Sequence, residues 1–378
     1  MRPRILIVGG GLAGLALAIG LGQRGLAYEV VEQESTWAPV GAGIGLLPNA
    51  MCCLDRLGVG NAVRAAGFEV TATEWLDVTG GSAIRFDWRD VWDGDPVIQI
   101  HRHPLVQILA DRVTGSVRLG TVLTGLRQAA EGVEVELSDG SAGLYDLVVG
   151  ADGVYSTVRR LWFRSAPPRY VGQHYWRGAL PDPGGSLPRH WWVARAPGRF
   201  FGLTPLGGDL VYCFGQLNTD DLVREPPDGR LAHARAVFVD FPPFATEALA
   251  RLERDDQLHF GPVYEVAEPH WRAGRVLLIG DAAHSCSPIM VQGGAKAFED
   301  ALVLSEMLGE VADVPERWDA VLDAFVARRR PRVDWVREQT HLRISQATAG
   351  PAALMSADAQ AGVLDRFRSY YAPLKAPP

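Results

Sequence analysis

A strand-like run from Arg4 to Val8 ends in Gly9-Gly10-Gly11-Leu12-Ala13-Gly14 and passes directly into a helix-like stretch reaching Arg24. The spacing is G-x-G-x-x-G, and its chemistry is specific. Gly9 permits the tight turn, Gly11 lets backbone approach a pyrophosphate, and Gly14 lets helix and strand pack closely. The helix N-terminus then offers unpaired N–H groups to phosphate oxygens. Gly25 stops the helix, Ala27 to Glu32 reads as the next strand, and Glu32 stands where an acid would accept hydrogen bonds from ribose hydroxyls. A glycine-rich turn of no function would leave strand, helix and acid in register by accident, so a dinucleotide site is expected.

Two later clusters share this texture. Gly150-Ala151-Asp152-Gly153 precedes Ser156 and Arg159, and Gly280-Asp281-Ala282-Ala283-His284 precedes Pro288, Gln292-Gly293-Gly294 and Glu299-Asp300-Ala301. Each follows a strand-like run, at Tyr145 to Val149 and Arg275 to Ile279. Three glycine-terminated strands feeding turns or helices predict a parallel sheet assembled from distant segments, with a strand at Val133 to Leu137 grouped with the second. A helix is expected from about Gly294 to Leu308, and helical patterning returns from about Val314 to Gln346. Tyr170 to Gln216, rich in aromatics, Pro and Gly, reads as antiparallel sheet, which Trp75 to Trp92 joins. The residues around Tyr370 to Pro378 read as a loosely held tail.

The 378 residues, 47% of them hydrophobic, allow one body with two lobes. A net charge of −7 with scattered basic residues argues against a nucleic-acid or anionic-membrane partner and leaves a small molecule. Cys52, Cys53, Cys213 and Cys286 show neither metal spacing nor a disulfide framework, so reduced thiols and a cytoplasmic location are expected. Met1-Arg-Pro-Arg before the uncharged stretch Ile5 to Gly22 imitates a signal peptide or short span, but Gly9, Gly10, Gly11 and Gly14 interrupt it.

His284 reads as a brace for its loop rather than an acid or base, and His101 and His103 as helix-entry residues; no metal site is expected. Ser156 and Ser285 lack a nucleophile-elbow sequence.

Together with Gly41-Ala42-Gly43-Ile44, Pro48-Asn49-Ala50, and Arg102 followed by Leu105 and Leu109, these motifs resemble the FAD-dependent aromatic hydroxylases, the group A flavoprotein monooxygenases, and are closest to the salicylate-hydroxylase-like branch. The resemblance runs from about residue 4 to 345. It implies an α/β fold of the p-hydroxybenzoate hydroxylase kind: a Rossmann-like FAD-binding domain from residues 1–70, 99–169 and 270–345, and a discontinuous antiparallel-sheet substrate domain from 71–98 and 170–269. Residues 346–378 would form a C-terminal helix or tail.

It also implies non-covalent FAD held by Gly9, Gly11, Gly14, Glu32, Gly43, Arg102, Asp152, Gly280, Asp281, Gly293 and Gly294. Asp281 would accept from the ribityl hydroxyls, or else cap its turn; Arg102 would pair with the pyrophosphate side, or else be a surface arginine; Asp152 alone is an Asp-Gly turn. Pro288, Gly293 and Gly294 would form the flavin-edge loop and helix N-terminus, where reduced flavin carries negative charge. One departure is visible, Val291-Gln292-Gly293 where many relatives have Gly-Gln-Gly.

The implied reaction draws electrons from NADH or NADPH, bound transiently, and passes one oxygen of O2 through a flavin C4a-hydroperoxide to a small aromatic or polycyclic substrate. Tyr175, Trp176, Arg177, Phe201, Tyr212 and Phe214 are candidate substrate contacts, although alternating aromatics in a sheet are commonly core. A halogenase, an oxygen-independent reductase or a non-catalytic flavin binder would use the same scaffold; Trp191-Trp192-Val193 does not match the halogenase W-x-W-x-I-P signature. The chain is expected as a monomer or homodimer.

Overall fold

The computed structural model describes residues 4–37, 43–182, 190–224, 228–266, 270–312, 314–348 and 362–378. Its centre is a six-stranded sheet in the spatial order Arg272–Ala273, Val276–Leu278, Leu147–Gly150, Arg4–Val8, Ala27–Val31, Ser116–Arg118. All neighbours run parallel except the first pair. Ile5, Leu6 and Ile7 and Leu147, Val148 and Val149 are buried on both faces, as a covered parallel sheet requires. The helix Leu12–Gln23 lies against the helix Gly293–Gly309. Gly14 makes the close strand-to-helix return possible: a Cβ there would stand 1.9 Å from the Gly9 carbonyl oxygen.

The strand at Val133–Leu137 exists but is not part of the parallel sheet. It sits between Leu123–Gln128 and Ala142–Tyr145 in a three-stranded antiparallel sheet. Its pattern explains the correction, because Val133, Val135 and Leu137 are buried while Glu134 and Glu136 are not, the alternation of a sheet with one wet face.

The seven-stranded sheet runs Leu258–Glu265, Arg169–Pro181, Leu210–Asn218, Arg199–Pro205, His190–Ala196, Ala72–Leu76, Ser82–Asp87. Segments 72–76 and 82–87 therefore join the aromatic stretch, and all pairs are antiparallel except His190–Ala196 with Ala72–Leu76. One face packs Trp176, Phe201, Leu203 and Cys213 against Phe238 and the helices Arg230–Val237 and Pro243–Ala250. The other turns Tyr175, Val193 and Phe200 the opposite way. A small antiparallel sheet, Gly43–Leu46, Val97–His101 and Phe68–Val70, bridges the two regions.

The end of the chain is not a loose tail. Val363–Lys375 is a helix with Phe367, Tyr371 and Leu374 buried. These three recur at four- and three-residue spacing and make one apolar stripe, which Arg366, Arg368, Ser369 and Pro373 obscure when the segment is read residue by residue. Among the described residues, no helix is long and apolar enough to cross a membrane.

Candidate active site

A cavity of about 590 Å³ opens between the ends of the parallel strands and the outer face of the seven-stranded sheet. One wall is largely backbone: Gly11 to Ala13, Gly43 to Gly45, Ala151, Gly153, and Gly293 with Gly294, beside Arg102, Asp281 and Pro288. The facing wall is side chain. Tyr175 and Arg177 come from one strand and Tyr212 and Phe214 from its neighbour, with Arg177 directly opposite Phe214 in the ladder.

The expected site residues divide by position. Gly11, Gly43, Arg102, Asp281, Pro288, Gly293 and Gly294 line the cavity, as do Tyr175, Arg177, Tyr212 and Phe214. Gly9, Gly14, Gly280 and Glu32 stand behind the wall and shape it. Glu32 is held at the turn, its carboxylate accepting from the Gly10 N–H at 2.6 Å and the Glu34 N–H at 2.9 Å. Gly41 and Ala42 lie outside the described residues.

Neither Phe201 nor Trp176 faces the cavity; both pack in the core around Phe238. Strand alternation turns Phe200 inward and sends Phe201 to the opposite core, where its ring meets Phe238 at 5.2 Å. Asp152 also lies off the lining. Its carboxylate accepts from the Ser156 hydroxyl at 2.5 Å and from the Thr157 and Val158 N–H groups at 2.7 and 3.1 Å, so it organises its own turn. Arg159 then clamps that turn to the next one, donating to the Val154 carbonyl at 2.6 Å and the Ala282 carbonyl at 2.7 Å.

Behind the Gly280 to Gly294 loop lies a buried ionic network. Arg329 donates to Asp300 at 2.8 Å and to Glu299 at 2.7 Å, Arg332 donates to Glu299, and Asn49 ties Glu299 to Gln292 at the head of the helix Gly293–Gly309. His284 braces the loop as expected, with Nε2 2.6 Å from Asp300, which also accepts from the Gly280 N–H. Burial alone would raise the Asp300 carboxyl, but His284 and Arg329 hold it well below the usual carboxylate range. Burial also lowers His284, against the opposing pull of Asp300. His101 caps the helix Arg102–Ala110 through its Nδ1, which accepts from the His103 N–H at 3.3 Å.

The electrostatics of the cavity follow from these neighbours. The N-terminus of Gly293–Gly309 points unpaired N–H groups toward the loop, and Lys296 beneath it donates to the His284 carbonyl at 2.8 Å and to the Cys286 thiol at 3.2 Å. On the facing wall, burial pushes the Tyr212 phenol up to about 12 despite the nearby Arg177, so it stays a hydrogen-bond donor. Tyr175 is likewise raised by burial and donates to Gln216 at 2.5 Å.

The FAD binding domain family matches residues 2–340. Aurachin C monooxygenase/isomerase of Stigmatella aurantiaca is 34% identical over 321 residues, covering 82% of each chain. The 3-hydroxybenzoate 6-hydroxylase 1 of Aquipseudomonas alcaligenes is 31% identical over 328 residues, covering 83% of this chain and 82% of its own. The chain belongs to the FAD-dependent aromatic hydroxylase family. The crystal structure of Klebsiella pneumoniae HpxO complexed with FAD and uric acid superposes with a TM-score of 0.83 at 25% identity, covering 97% of this chain and 93% of that one.

The residues of this family member fit FAD. A Cβ built on Gly11 or Gly293 meets nothing within 4 Å, so backbone there is open to the cavity. Arg102 and Asp281 are exposed on its wall, and among the described residues no protein group forms an ion pair or hydrogen bond with either side chain. A cation and an acceptor without protein partners, beside an open glycine turn, match a pyrophosphate and a polyhydroxyl chain.

Several lining residues escaped sequence reasoning: Gln99, Trp191, Arg195 and Arg343, and Phe367 and Tyr370 from the C-terminal helix. A signal existed for Trp191 and Arg195, since they lie four apart on a strand and so share its inward face. For Arg343 and the C-terminal helix only the tertiary fold brings them in.

Val291 has an unexpected conformation. Its φ is +55°, a left-handed backbone that a β-branched residue seldom adopts. Its Cγ1 fills the seam facing Gly45, where a Cβ would stand 2.9 Å from it and 3.1 Å from both Gln99 and Trp191.

Proposed function

We propose that this protein is an NAD(P)H-dependent monooxygenase that holds FAD non-covalently and hydroxylates a small aromatic or polycyclic substrate with O2. One observation carries the reading: the glycine-built wall with Arg102 and Asp281, and the aromatic wall with Tyr175, Arg177, Tyr212 and Phe214, enclose one and the same cavity. FAD, when bound, supplies the electron transfer from reduced nicotinamide and the activation of O2. The chain's own part is to bind and to exclude. Gly9, Gly11 and Gly14, with Glu32, Arg102 and Asp281, receive the dinucleotide, and Asp152 and Gly280 set the turns on either side.

The flavin-edge loop of Pro288, Gly293 and Gly294 offers N–H groups where negative charge collects. The aromatic wall keeps water from the reacting face, and the protonated Tyr212 is placed to donate to a substrate oxygen. Residues 1–70, 99–169 and 270–345 form the FAD-binding part in this reading, and 71–98 with 170–269 the substrate part. Reduced nicotinamide visits from solvent. The four cysteines are free thiols, which supports a reducing, cytoplasmic setting.

The test begins with the purified protein, which should be yellow and release its flavin on denaturation. NADH and NADPH oxidation, slow alone, should be stimulated by members of a panel of phenols, heteroaromatics and polycyclic phenols. Heavy O2 should label the product. Product formed at undiminished rate without oxygen, or label arriving only from water, overturns the reading.

A further inference from the structure

Pro288–Met290 makes one tight helical turn, and Val291 follows it at φ +55°. Strain of this kind persists only where the surroundings fix it. Both ends of the segment are held by side chains: the Ser287 hydroxyl donates to Gln173 Oε1 at 2.5 Å, and Asn49 Nδ2 donates to Gln292 Oε1 at 2.9 Å. Between them the turn closes on itself, the Val291 N–H donating to the Pro288 carbonyl at 2.8 Å. Among the described residues, one side chain reaches the backbone of this middle stretch by a hydrogen bond. The Tyr371 hydroxyl donates to the Met290 carbonyl at 3.3 Å.

The contact falls on the peptide unit that carries the strain. The Met290 carbonyl and the Val291 N–H lie in one rigid plane, and rotating that plane changes ψ of Met290 and φ of Val291 together. Turning it over would carry Val291 to the negative φ that a β-branched residue prefers, and would swing the carbonyl away from Tyr371. A hydrogen bond to that oxygen therefore opposes the relaxation. Met290 is wholly buried, so its carbonyl left without a partner would be costly.

Tyr371 is itself fixed. Its ring is 1% exposed and packs against Trp92 and Trp88, with centroids 5.3 and 5.9 Å away. Burial pushes its phenol up against the pull of Arg343, which hydrogen-bonds the same oxygen and polarises the O–H toward Met290. Arg332 fastens the far end of the helix Val363–Lys375, donating to the Pro373, Leu374 and Ala376 carbonyls while it also holds Glu299. The same helix lines the cavity with Phe367 and Tyr370.

We propose that Tyr371 is a positioning residue for the flavin-edge loop: by gripping the Met290 carbonyl it keeps the Met290–Val291 peptide from turning over, and Arg343 strengthens the grip. The assignment rests on reading Pro288 to Gly294 as the flavin-edge loop, and adds a determinant of its conformation that lies outside the glycine motifs.

Hydrogen–deuterium exchange is followed by mass spectrometry on the FAD-loaded wild type and on Tyr371→Phe, which loses the hydroxyl and keeps the ring. Peptides covering Ile289 to Gln292 should exchange about twofold to tenfold faster in the variant, the worth of one hydrogen bond. Peptides from Val363–Lys375 and from the strand Leu258–Glu265 should keep wild-type rates, whereas a merely structural tyrosine would loosen its own helix first. Arg343→Met, which leaves the hydroxyl in place, should speed the same loop peptides by a smaller factor, and it carries the test if Tyr371→Phe folds poorly. FAD affinity, read from the flavin fluorescence released on dilution, should fall in step with loop protection in both variants.

Unchanged exchange at residues 289–292 in Tyr371→Phe overturns the assignment, and so does faster exchange shared equally by the helix Val363–Lys375. Unchanged exchange in Arg343→Met overturns the part given to Arg343. Faster loop exchange at unaltered FAD affinity would keep Tyr371 as the holder of the loop and remove instead the reading of that loop as the flavin edge.

Discussion

The two walls of the cavity are built on different principles. The nucleotide wall is backbone: glycines at fixed spacing, an acid at a strand end, and behind them a buried network in which Arg329, Glu299 and Asp300 are at most 1% exposed at their side chains. The substrate wall is side chain, drawn from strands near residues 73, 175, 191 and 212 and from a helix beginning at Val363. In the proposed reading the first kind of wall, set by local chain geometry, receives the cofactor, and the second, set by individual side chains, receives the substrate. The contrast is testable because it assigns different consequences to changes on either side.

The largest effect is expected behind the nucleotide wall. Arg329→Met leaves Glu299 and Asp300 short of a buried cation, and breaking such a pair costs about 3–5 kcal/mol. Urea unfolding followed by circular dichroism should show a loss of that order, with flavin released in the same transition. A loss under about 1 kcal/mol would mean that this network does not hold the loop, and the contrast between a braced and an unbraced wall would fail.

Legibility follows the same division. The Gly9 to Gly14 turn, Glu32 and the Gly280 to Gly294 loop were readable because each depends on neighbours in the chain. Of the stretch Trp75 to Trp92, only residues 75–76 and 82–87 join the sheet, where period-two patterning survives in local sequence, whereas Trp88–Val91 is a short helix capped by Asp87. Val133–Leu137 was read as a strand yet given to the wrong sheet, because strand pairing is a long-range property. Phe201 was chosen in place of Phe200 because an aromatic pair at adjacent positions carries no sign of which faces in; strand phase decides it. Arg343 and Phe367 were missed because nothing near them in sequence marks a cavity that other segments complete.

A paired substitution sharpens the comparison at smaller scale. Phe367 touches Trp75 at 5.5 Å and Phe86 at 4.3 Å between ring centroids, and Phe367→Ala removes packing worth about 3 kcal/mol from the outer edge of the substrate wall. Substrate-stimulated NAD(P)H oxidation should show a raised KM while FAD occupancy holds. Asp281→Ala should do the reverse, lowering FAD affinity by about tenfold to a hundredfold with little change in folding, because its carboxylate is exposed. If each variant disturbs flavin and substrate binding alike, the walls do not act separately.

The smallest effect on stability, and the sharpest on the boundary, is expected at Val291. A β-branched residue at φ +55° bears strain of about 1–2 kcal/mol, which glycine would relieve. Glycine also returns roughly 0.5–1 kcal/mol to the unfolded chain and gives up the Cγ1 contact in the seam. These opposing terms leave Val291→Gly within about 1 kcal/mol of wild type in urea unfolding. Function should respond more, because Val291 fills the gap between Gly45 on the nucleotide side and Gln99 and Trp191 toward the substrate side. With the wedge gone, the flavin-edge loop is free to shift without substrate to position it. Substrate-independent NAD(P)H oxidation should then rise severalfold while flavin occupancy is unchanged, and a tenfold rise would need only about 1.4 kcal/mol. An unchanged ratio of stimulated to unstimulated oxidation would show that the two walls communicate through some other contact than this seam.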